Sequence, residues 1–339
     1  MRLLIVDNVN NLSGAPAVVS QISQLLAANI VCIREEPDGA YRSVCCGIRS
    51  ERPPLYPLGV LLLLLRPAFW REWVAADTII LNTSLTFPFL LMARICGKNT
   101  VAILHECSYK NLLYSVAIRM TVWAAGFIVT PSARAYRTLL GTRGNWRVMA
   151  NPLPVRYFEA PPVRAKRLER QVSVLFAGDA RAYKGRDLFR AVADILATDP
   201  SRAWICHEVG DSSYRKLNGD SRRLTPEVYD RYDFVLVLTD NRIWQETFGL
   251  VGCEAACRGC IPLFTDAFAY REIWDPFAAD LYLPDRQAAA IAQRLQGLVV
   301  DGDRVARLRQ MVSSRAAALC SPSSMLESWR ALLAEVKSG

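Results

Sequence analysis

Short runs of apolar, often β-branched residues alternate with longer stretches of helical periodicity along the whole chain. In the first half, "RLLIVDN", "IVCIRE", "RSVCCGI", "TIILNTS", "TVAILHE" and "GFIVTPS" predict strands. Between most of them lie helical stretches such as "APAVVSQISQLLAAN" and "FPFLLMARICG". The strand runs are continuously apolar rather than alternating, so both of their faces are covered. That is the pattern of a parallel sheet between helix layers.

Around "RVMANPLPVRYFEAPPVRAKRLERQ" the texture becomes proline-rich and charged, as linkers are. The alternation then restarts with "VSVLFAGD", "RAWICHEVG", "DFVLVLTD", "CIPLFTD" and "DLYLP". The economical solution is an α/β chain of two doubly wound Rossmann-like domains, 1–158 and 159–322, followed by a helix over 323–339. In that last segment Ser324 and Glu327 have capping-box spacing. Met325, Trp329, Leu332 and Val336 make an apolar stripe.

Composition narrows the class of partner. The 339 residues carry a net charge of +9, which favours an anionic partner: phosphorylated ligands, a membrane surface or nucleic acid. The basic residues are dispersed apart from "VRAKRLER", and no nucleic-acid motif accompanies them, so nucleic acid is not expected. Ten cysteines at irregular spacing, several inside apolar runs, read as small hydrophobes in a reducing cytoplasm rather than as a disulfide framework. The longest apolar run, Leu55 to Leu65, is too short for a bilayer that needs about twenty residues. It reads either as a buried helix or loop, or as a peripheral patch on the inner membrane face. In the second case Arg66, Phe69, Trp70, Arg71 and Trp73 would lie at headgroup level.

Ligands of open parallel sheets bind at the carboxyl ends of strands, and four such places carry candidate chemistry. After the first strand, "NVNNLSGAP" places Gly14 where a helix would begin near Ala15, with backbone amides for a polar ligand or simply as a turn. The dinucleotide fingerprint G-x-G-x-x-G is absent. "ILHE" sets His105, one of only two histidines, at a strand end. A core or surface histidine is the alternative, and a metal cluster is not supported. In "FAGDARAYKGRDLF" a strand ends at Gly178, and Arg181 and Lys184 precede a helix opened by Gly185. Two cations at a helix amino terminus suit a diphosphate, or make a basic turn.

The fourth place is "WQETFGLVGCEAACRGCIP". Cys253 and Cys257 fall on one helix face as core contacts, and C-x-x-C from Cys257 to Cys260 lacks the further ligand a structural zinc wants. Glu254 is the only charge from Gly249 to Cys257. A carboxylate on a helix built for burial needs a partner, such as a pair of ligand hydroxyls. Glu246 lies just before the same helix start, where the amides from Phe248 to Leu250 could meet a phosphate.

Glu246 and Glu254 in the frame "ETFGLVGCEAACRGCIP" resemble the signature of retaining glycosyltransferase family 4, of the GT-B fold, in which two Rossmann-like domains face each other across a cleft. The resemblance covers nearly the whole chain. "SGAP" is similar to that family's glycine loop, "ILHE" to its histidine, "VMANPLPVRYF" to its "IPNGVD…F" segment and "AGDARAYKG" to its "GR…KG". The resemblance implies a nucleotide-sugar donor, with Glu254 on the ribose hydroxyls and Glu246 on hydroxyls of the sugar. It implies that Phe248, Gly249 and Leu250 offer amides to the diphosphate beside Thr247, that Lys184 neutralises the leaving group, and that Gly178 and Arg181 also bind the donor. Gly14 would line the cleft, His105 would approach the sugar, and the carboxyl-terminal helix would cross back to the first domain.

Two departures stand out. The family's arginine after the phosphate-loop glycine is Asp179 here, with Arg181 as the substitute, and "DAFAYRE" replaces a glycine pair around Phe268 to Glu272. The implied function is transfer of a hexose-type sugar from a UDP- or GDP-sugar to a glycan or lipid-linked acceptor in bacterial surface polysaccharide synthesis, without a metal. A nucleotide-sugar epimerase of the same fold and a non-catalytic sugar-nucleotide binding subunit are the alternatives.

Overall fold

The computed structural model describes every residue except 12–13, 38, 51–55, 107–111, 142–143, 160–170, 179–180, 219–223, 266–267, 276–277, 284–285 and 339. The chain forms two compact units, Met1–Leu153 with Pro322–Gly339, and Pro154–Ser321.

In the first unit β1 (Leu3–Asn10) leads through α1 (Gly14–Leu26) to β2 (Asn29–Glu35) and β3 (Cys45–Arg49). Next come α2 (Tyr56–Leu64), α3 (Pro67–Ala75), β4 (Thr78–Asn82), α4 (Phe87–Ile95) and β5 (Asn99–Ile103). The unit continues with α5 (Leu112–Ala124), β6 (Phe127–Thr130), α6 (Ala133–Leu140) and β7 (Trp146–Val148). All strands are parallel in the order β3-β2-β1-β4-β5-β6-β7. The order reverses between β1 and β4, whose register sets Leu4 beside Ile79 and Val6 beside Leu81. Ligand sites of such sheets lie at the carboxyl ends flanking this reversal.

The apolar run before β4 divides its faces. Gly59, Leu63, Phe69 and Trp73 are buried. Phe69 lies 5.4 Å from Trp73 and 5.7 Å from Phe89, ring centre to ring centre. Phe69 and Trp73 are therefore core residues, which corrects their expected place at a membrane headgroup. Side chains of this size contribute about 1.5–3 kcal/mol each on burial, so they seat α3 against α4. Arg66, Trp70 and Arg71 remain exposed, as do Leu58, Leu61, Leu65 and Val74.

β7 lies where the sequence reads as linker. It is a three-residue edge strand with two exposed side chains, so its apolar signal is weak.

The second unit runs β8 (Gln171–Phe176), α7 (Arg186–Ala197), β9 (Ala203–Glu208), α8 (Ser212–Asn218), α9 (Pro226–Tyr229) and β10 (Phe234–Val237). It then adds α10 (Leu250–Cys257), β11 (Ile261–Thr265), α11 (Phe268–Trp274), β12 (Tyr282–Leu283), α12 (Ala288–Val300) and α13 (Gly302–Cys320). Its parallel sheet has the order β12-β11-β10-β8-β9, reversing between β8 and β10. At the amino end of β10, Asp233 accepts from the amide and hydroxyl of Ser173, both at 2.8 Å, and from Arg309 of α13 at 2.5 Å. This pins α13 to the sheet away from the carboxyl ends.

The final helix, α14 (Pro322–Ser338), packs on α1 and β5 of the first unit through buried Met325, Trp329, Leu332, Leu333 and Val336. It begins at Pro322, two residues before Ser324. Ser324 therefore lies inside the helix rather than at its cap, because proline is well suited to the first helical turn.

Candidate functional site

In the second unit the strand after the linker stops at Phe176, so Gly178 lies in the loop rather than at the strand's end. A Cβ on Gly178 would meet the Phe176 ring at 2.6 Å and Lys184 Cβ at 3.4 Å, so a larger residue has no room at this position. Ala182–Lys184 form one 3-10 turn, and Gly185 caps α7. The Tyr183 carbonyl accepts from the Asp240 amide at 2.7 Å, and the Tyr183 ring stacks on Trp244 at 5.5 Å. Arg181 lies 5.1 Å and Lys184 5.5 Å from the centre of the same ring. The basic turn is thereby fastened to the loop after β10, and Lys184 Nζ reaches Glu246 Oε2 at 3.1 Å. Neither Tyr183 nor Trp244 was singled out from the sequence. The signal available was an aromatic residue flanked by two cations.

Asp240, beyond the end of β10, binds Arg242 at 2.9 Å and faces Arg286 at 3.7 Å. Hydrogen bonds from Arg242 hold its carboxyl down at about 2, so it stays ionised. Thr247 follows Glu246, and Phe248 is buried.

Gly249 is the amino cap of α10, with φ of +81°, and no side chain caps the helix there. A Cβ at Gly249 would meet Tyr270 at 2.2 Å, so glycine is required by both backbone and space. The helix start at Leu250 therefore has backbone donors that no side-chain cap accepts from; Glu246, which pairs with Lys184, precedes it by four residues in sequence.

One turn further, Glu254 Oε2 accepts from the Tyr229 hydroxyl at 2.8 Å. The sequence required a partner for this carboxylate, and a fully buried phenol supplies it. Burial, followed by the charge of Glu254, holds the Tyr229 hydroxyl well above its ordinary pKa, so it remains a donor. Cys253 and Cys257 are buried free thiols on the same helix, and Cys253 hydrogen-bonds Cys320 of α13. They are packing residues whose thiols are pushed up in pKa, Cys253 first by its hydrogen bond with Cys320 and Cys257 by burial, which disfavours the thiolate.

In the first unit Gly14 opens α1, one residue earlier than the expected start near Ala15; Ser13 and Asp179 of the second unit lie outside the described residues. His105 follows β5, and its Nε2 lies 2.7 Å from Asn82 Oδ1. Asn82 Nδ2 donates to Asp7 Oδ1 at 2.8 Å, and Tyr41 Oη donates to Asp7 Oδ2 at 2.7 Å. This line of residues crosses the reversal between β1 and β4. Burial pushes His105 down to about 4, so the ring is neutral, and pushes Asp7 up to about 6. Glu106 is raised to about 7 by burial, against hydrogen bonds from the backbone of Ser84, Glu106 and His105. Thr83, between these groups, has φ of +67° and ψ of 155°, a region costly for a β-branched residue. The other histidine, His207, is buried on β9 against the Tyr232 hydroxyl at 3.1 Å and belongs to the core.

Among the described residues no group of three or more His, Cys, Asp or Glu is placed to hold a metal ion. No helix among them is long and apolar enough to cross a membrane.

The chain is similar in structure to Anabaena HepE in complex with UDP and glucose, with a TM-score of 0.75, 15% identity, and 99% of this chain and 100% of that one covered. It is similar to sucrose-phosphate synthase from Thermosynechococcus elongatus, with a TM-score of 0.69, 17% identity, and 100% of both chains covered. A third likeness is to the lipopolysaccharide outer core galactosyltransferase WaaB in its apo form, with a TM-score of 0.64, 14% identity and 99% of each chain covered. No family model and no curated protein matches the chain. At these identities the likeness is one of fold. The α/β class expected from the sequence, two doubly wound units of the GT-B type, is the one the structure has.

Proposed function

We propose that this chain is a retaining glycosyltransferase of family 4 that moves a hexose-type sugar from a nucleoside diphosphate to a glycan or lipid-linked acceptor. The observation that carries the reading is the Lys184–Glu246 pair, 3.1 Å apart, at the uncapped start of α10. A cation paired with a carboxylate shortly before an uncapped helix start supports this reading, since a diphosphate joined to a polyhydroxylated ring calls for a cation, backbone donors and a carboxylate. Glu254, held by Tyr229, takes the ribose hydroxyls one helical turn away. UDP is the nucleotide favoured, because HepE, similar in fold, has been solved with UDP-glucose.

The barrier is departure of the diphosphate from an oxocarbenium-like sugar. Lys184, Arg181 and the amides of Phe248, Gly249 and Leu250, at the start of α10, stabilise the charge that develops on the leaving oxygen, without a metal. Glu246 hydrogen-bonds the sugar hydroxyls. Gly14 and neutral His105 are assigned to donor recognition by the same family resemblance. The acceptor hydroxyl attacks on the face the diphosphate leaves, so configuration is retained.

A lipid-linked acceptor accords with the exposed side of α2 and α3. Leu61, Leu65 and Val74 are more than half exposed there, beside Arg66, Trp70 and Arg71. Such a face suits peripheral contact with an anionic bilayer in the synthesis of a surface polysaccharide.

The test is a panel of UDP-, GDP- and ADP-sugars assayed for binding and turnover, with and without chelator, on wild type and Lys184→Ala. Turnover of one donor, insensitive to chelator and lost in the variant, is expected. Full activity of Lys184→Ala would remove the site assignment.

A further inference from the structure

Asp7, Asn82 and Tyr41 form a hydrogen-bonded chain that ends on His105. Asp7 and Asn82 are 1% and 0% exposed, so water does not compete for their polar atoms. Asp7 is surrounded by donors: the Tyr41 hydroxyl at 2.7 Å, and the Asn82 amide group and the Asn8 backbone N–H at 2.8 Å each. Four elements supply the chain: β1, the segment after β2, the end of β4 and the residues after β5.

An ionised carboxylate only accepts hydrogen bonds. Asn82 must therefore turn its NH2 to Asp7, which leaves its carbonyl oxygen for His105 Nε2 at 2.7 Å. That oxygen also only accepts, so Nε2 must carry the imidazole proton. The opposite amide orientation would set Asn82 oxygen against the Asp7 carboxylate and NH2 against N–H. Both bonds would be lost in a dry site, where an unpaired polar group is costly.

From this geometry we propose that Asp7 and Asn82 lock His105 in the Nε2–H tautomer, with Tyr41 bracing Asp7, and that all three are positioning residues for the transfer reaction. With the proton on Nε2, Nδ1 is the acceptor nitrogen of the ring. The functional half of this proposal rests on the reading of His105 as a contact to the donor sugar; the tautomer half does not.

The test is nitrogen-15 NMR of the full, labelled chain at pH 7, where each tautomer gives a distinct pair of ring resonances. With only two histidines present, His207→Gln assigns the spectrum. The wild type should show a single His105 tautomer protonated at Nε2. Asp7→Leu, which does not touch the ring, should release the amide and give both tautomers, as should Asn82→Leu. Sugar transfer in these variants should fall about tenfold or more through misplacement of the ring. Protonation at Nδ1, or a mixture in the wild type, overturns the proposal, and this reading needs no variant to fold. Mixed tautomers in Asp7→Leu with transfer unchanged overturn the positioning role. A wild type that turns over no donor removes the function proposed above and leaves the tautomer result standing.

Discussion

Lys184 Nζ lies 3.1 Å from Glu246 Oε2, joining residues 62 positions apart at the start of α10. Both side chains keep about a fifth of their surface, so the pair contributes little to stability, on the order of 0–1 kcal/mol. Its consequence lies in binding. A diphosphate that engages Lys184 does so beside a carboxylate, so the two substitutions should act in opposite directions. Lys184→Ala should weaken UDP about tenfold or more, the loss of a charge-assisted hydrogen bond. Glu246→Gln should strengthen UDP by removing a nearby negative charge, yet slow transfer by losing a sugar contact. Calorimetric titration with UDP checks the first pair of signs, and turnover checks the second.

Tyr229→Phe removes only the hydroxyl that binds Glu254 at 2.8 Å. The cost to the second unit should be about 1.5–3 kcal/mol, the range for a hydrogen bond to a charged group. Saturating UDP should recover part of it, because ribose hydroxyls would pair with the same carboxylate. Thermal unfolding with and without UDP reads both. Equal deficits in the two conditions would place the ribose elsewhere.

Gly249→Ala sets a Cβ 2.2 Å from the Tyr270 ring at a φ of +81°. Gly210→Ala has a similar φ of +91° but nothing within 4 Å. The second variant should lose about 1 kcal/mol from backbone strain alone, and the first clearly more, because Tyr270 or the start of α10 must move. Urea midpoints of the two variants compare the costs, and UDP binding should fall only in Gly249→Ala.

The parts of the fold that the sequence shows are those whose physics is local. β4, β10 and β11 are wholly buried and β1 is buried from Leu4 to Asp7, so each carries a mainly apolar run that is unmistakable. β7 has two exposed side chains of three and left no such run. In the same way Lys184, Glu246 and Glu254 stand out because charge is rare around them. Tyr229, Asp7 and Asn82 do not, since one is a tyrosine on a four-residue helix and the others look like polar strand ends. Their roles arise only when β1 and β4 become neighbours, or when α9 meets α10, and that pairing is long-range information. A polar residue closing each of two apolar runs, "LLIVD" and "TIILN", was the available hint. Phe69 and Trp73 went the other way: their neighbour Phe89 lies beyond β4, so the helix face they share could not be seen as core.

On α2 and α3, Leu61, Leu65 and Val74 are 54%, 67% and 73% exposed. If this face rests on a bilayer, Leu61→Gln with Leu65→Gln should reduce co-sedimentation with vesicles containing anionic lipid by about tenfold or more, from the apolar area that stays in water. Raising salt should weaken binding through Arg66 and Arg71 independently. Because these side chains are exposed, melting should be unchanged. Vesicle binding that survives the double substitution would place the membrane contact on another surface.

The buried carboxylates of the first unit give its stability a pH dependence of unusual sign. Asp7 rises from 3.8 to about 6 and Glu106 from 4.5 to about 7, both through burial. Between its unfolded and folded pKa each group binds more protons in the native state, so stability falls as pH rises through that window. Asp7 loses about 3 kcal/mol in this way between pH 4 and 6, at 1.36 kcal/mol per unit. His105, lowered from 6.5 to about 4, acts oppositely, being charged in the unfolded chain and neutral in the folded one; it adds stability as pH rises from 4 to 6.5. These terms overlap in the wild type, so the informative quantity is a difference between proteins. Asp7→Asn minus wild type should become more favourable as pH rises from 4 and level off above about 6. Glu106→Gln minus wild type should do the same but level off only above about 7. Urea unfolding of the three proteins from pH 4 to 8 measures both plateaus. Differences independent of pH would mean that neither carboxyl titrates in the window that burial assigns to it.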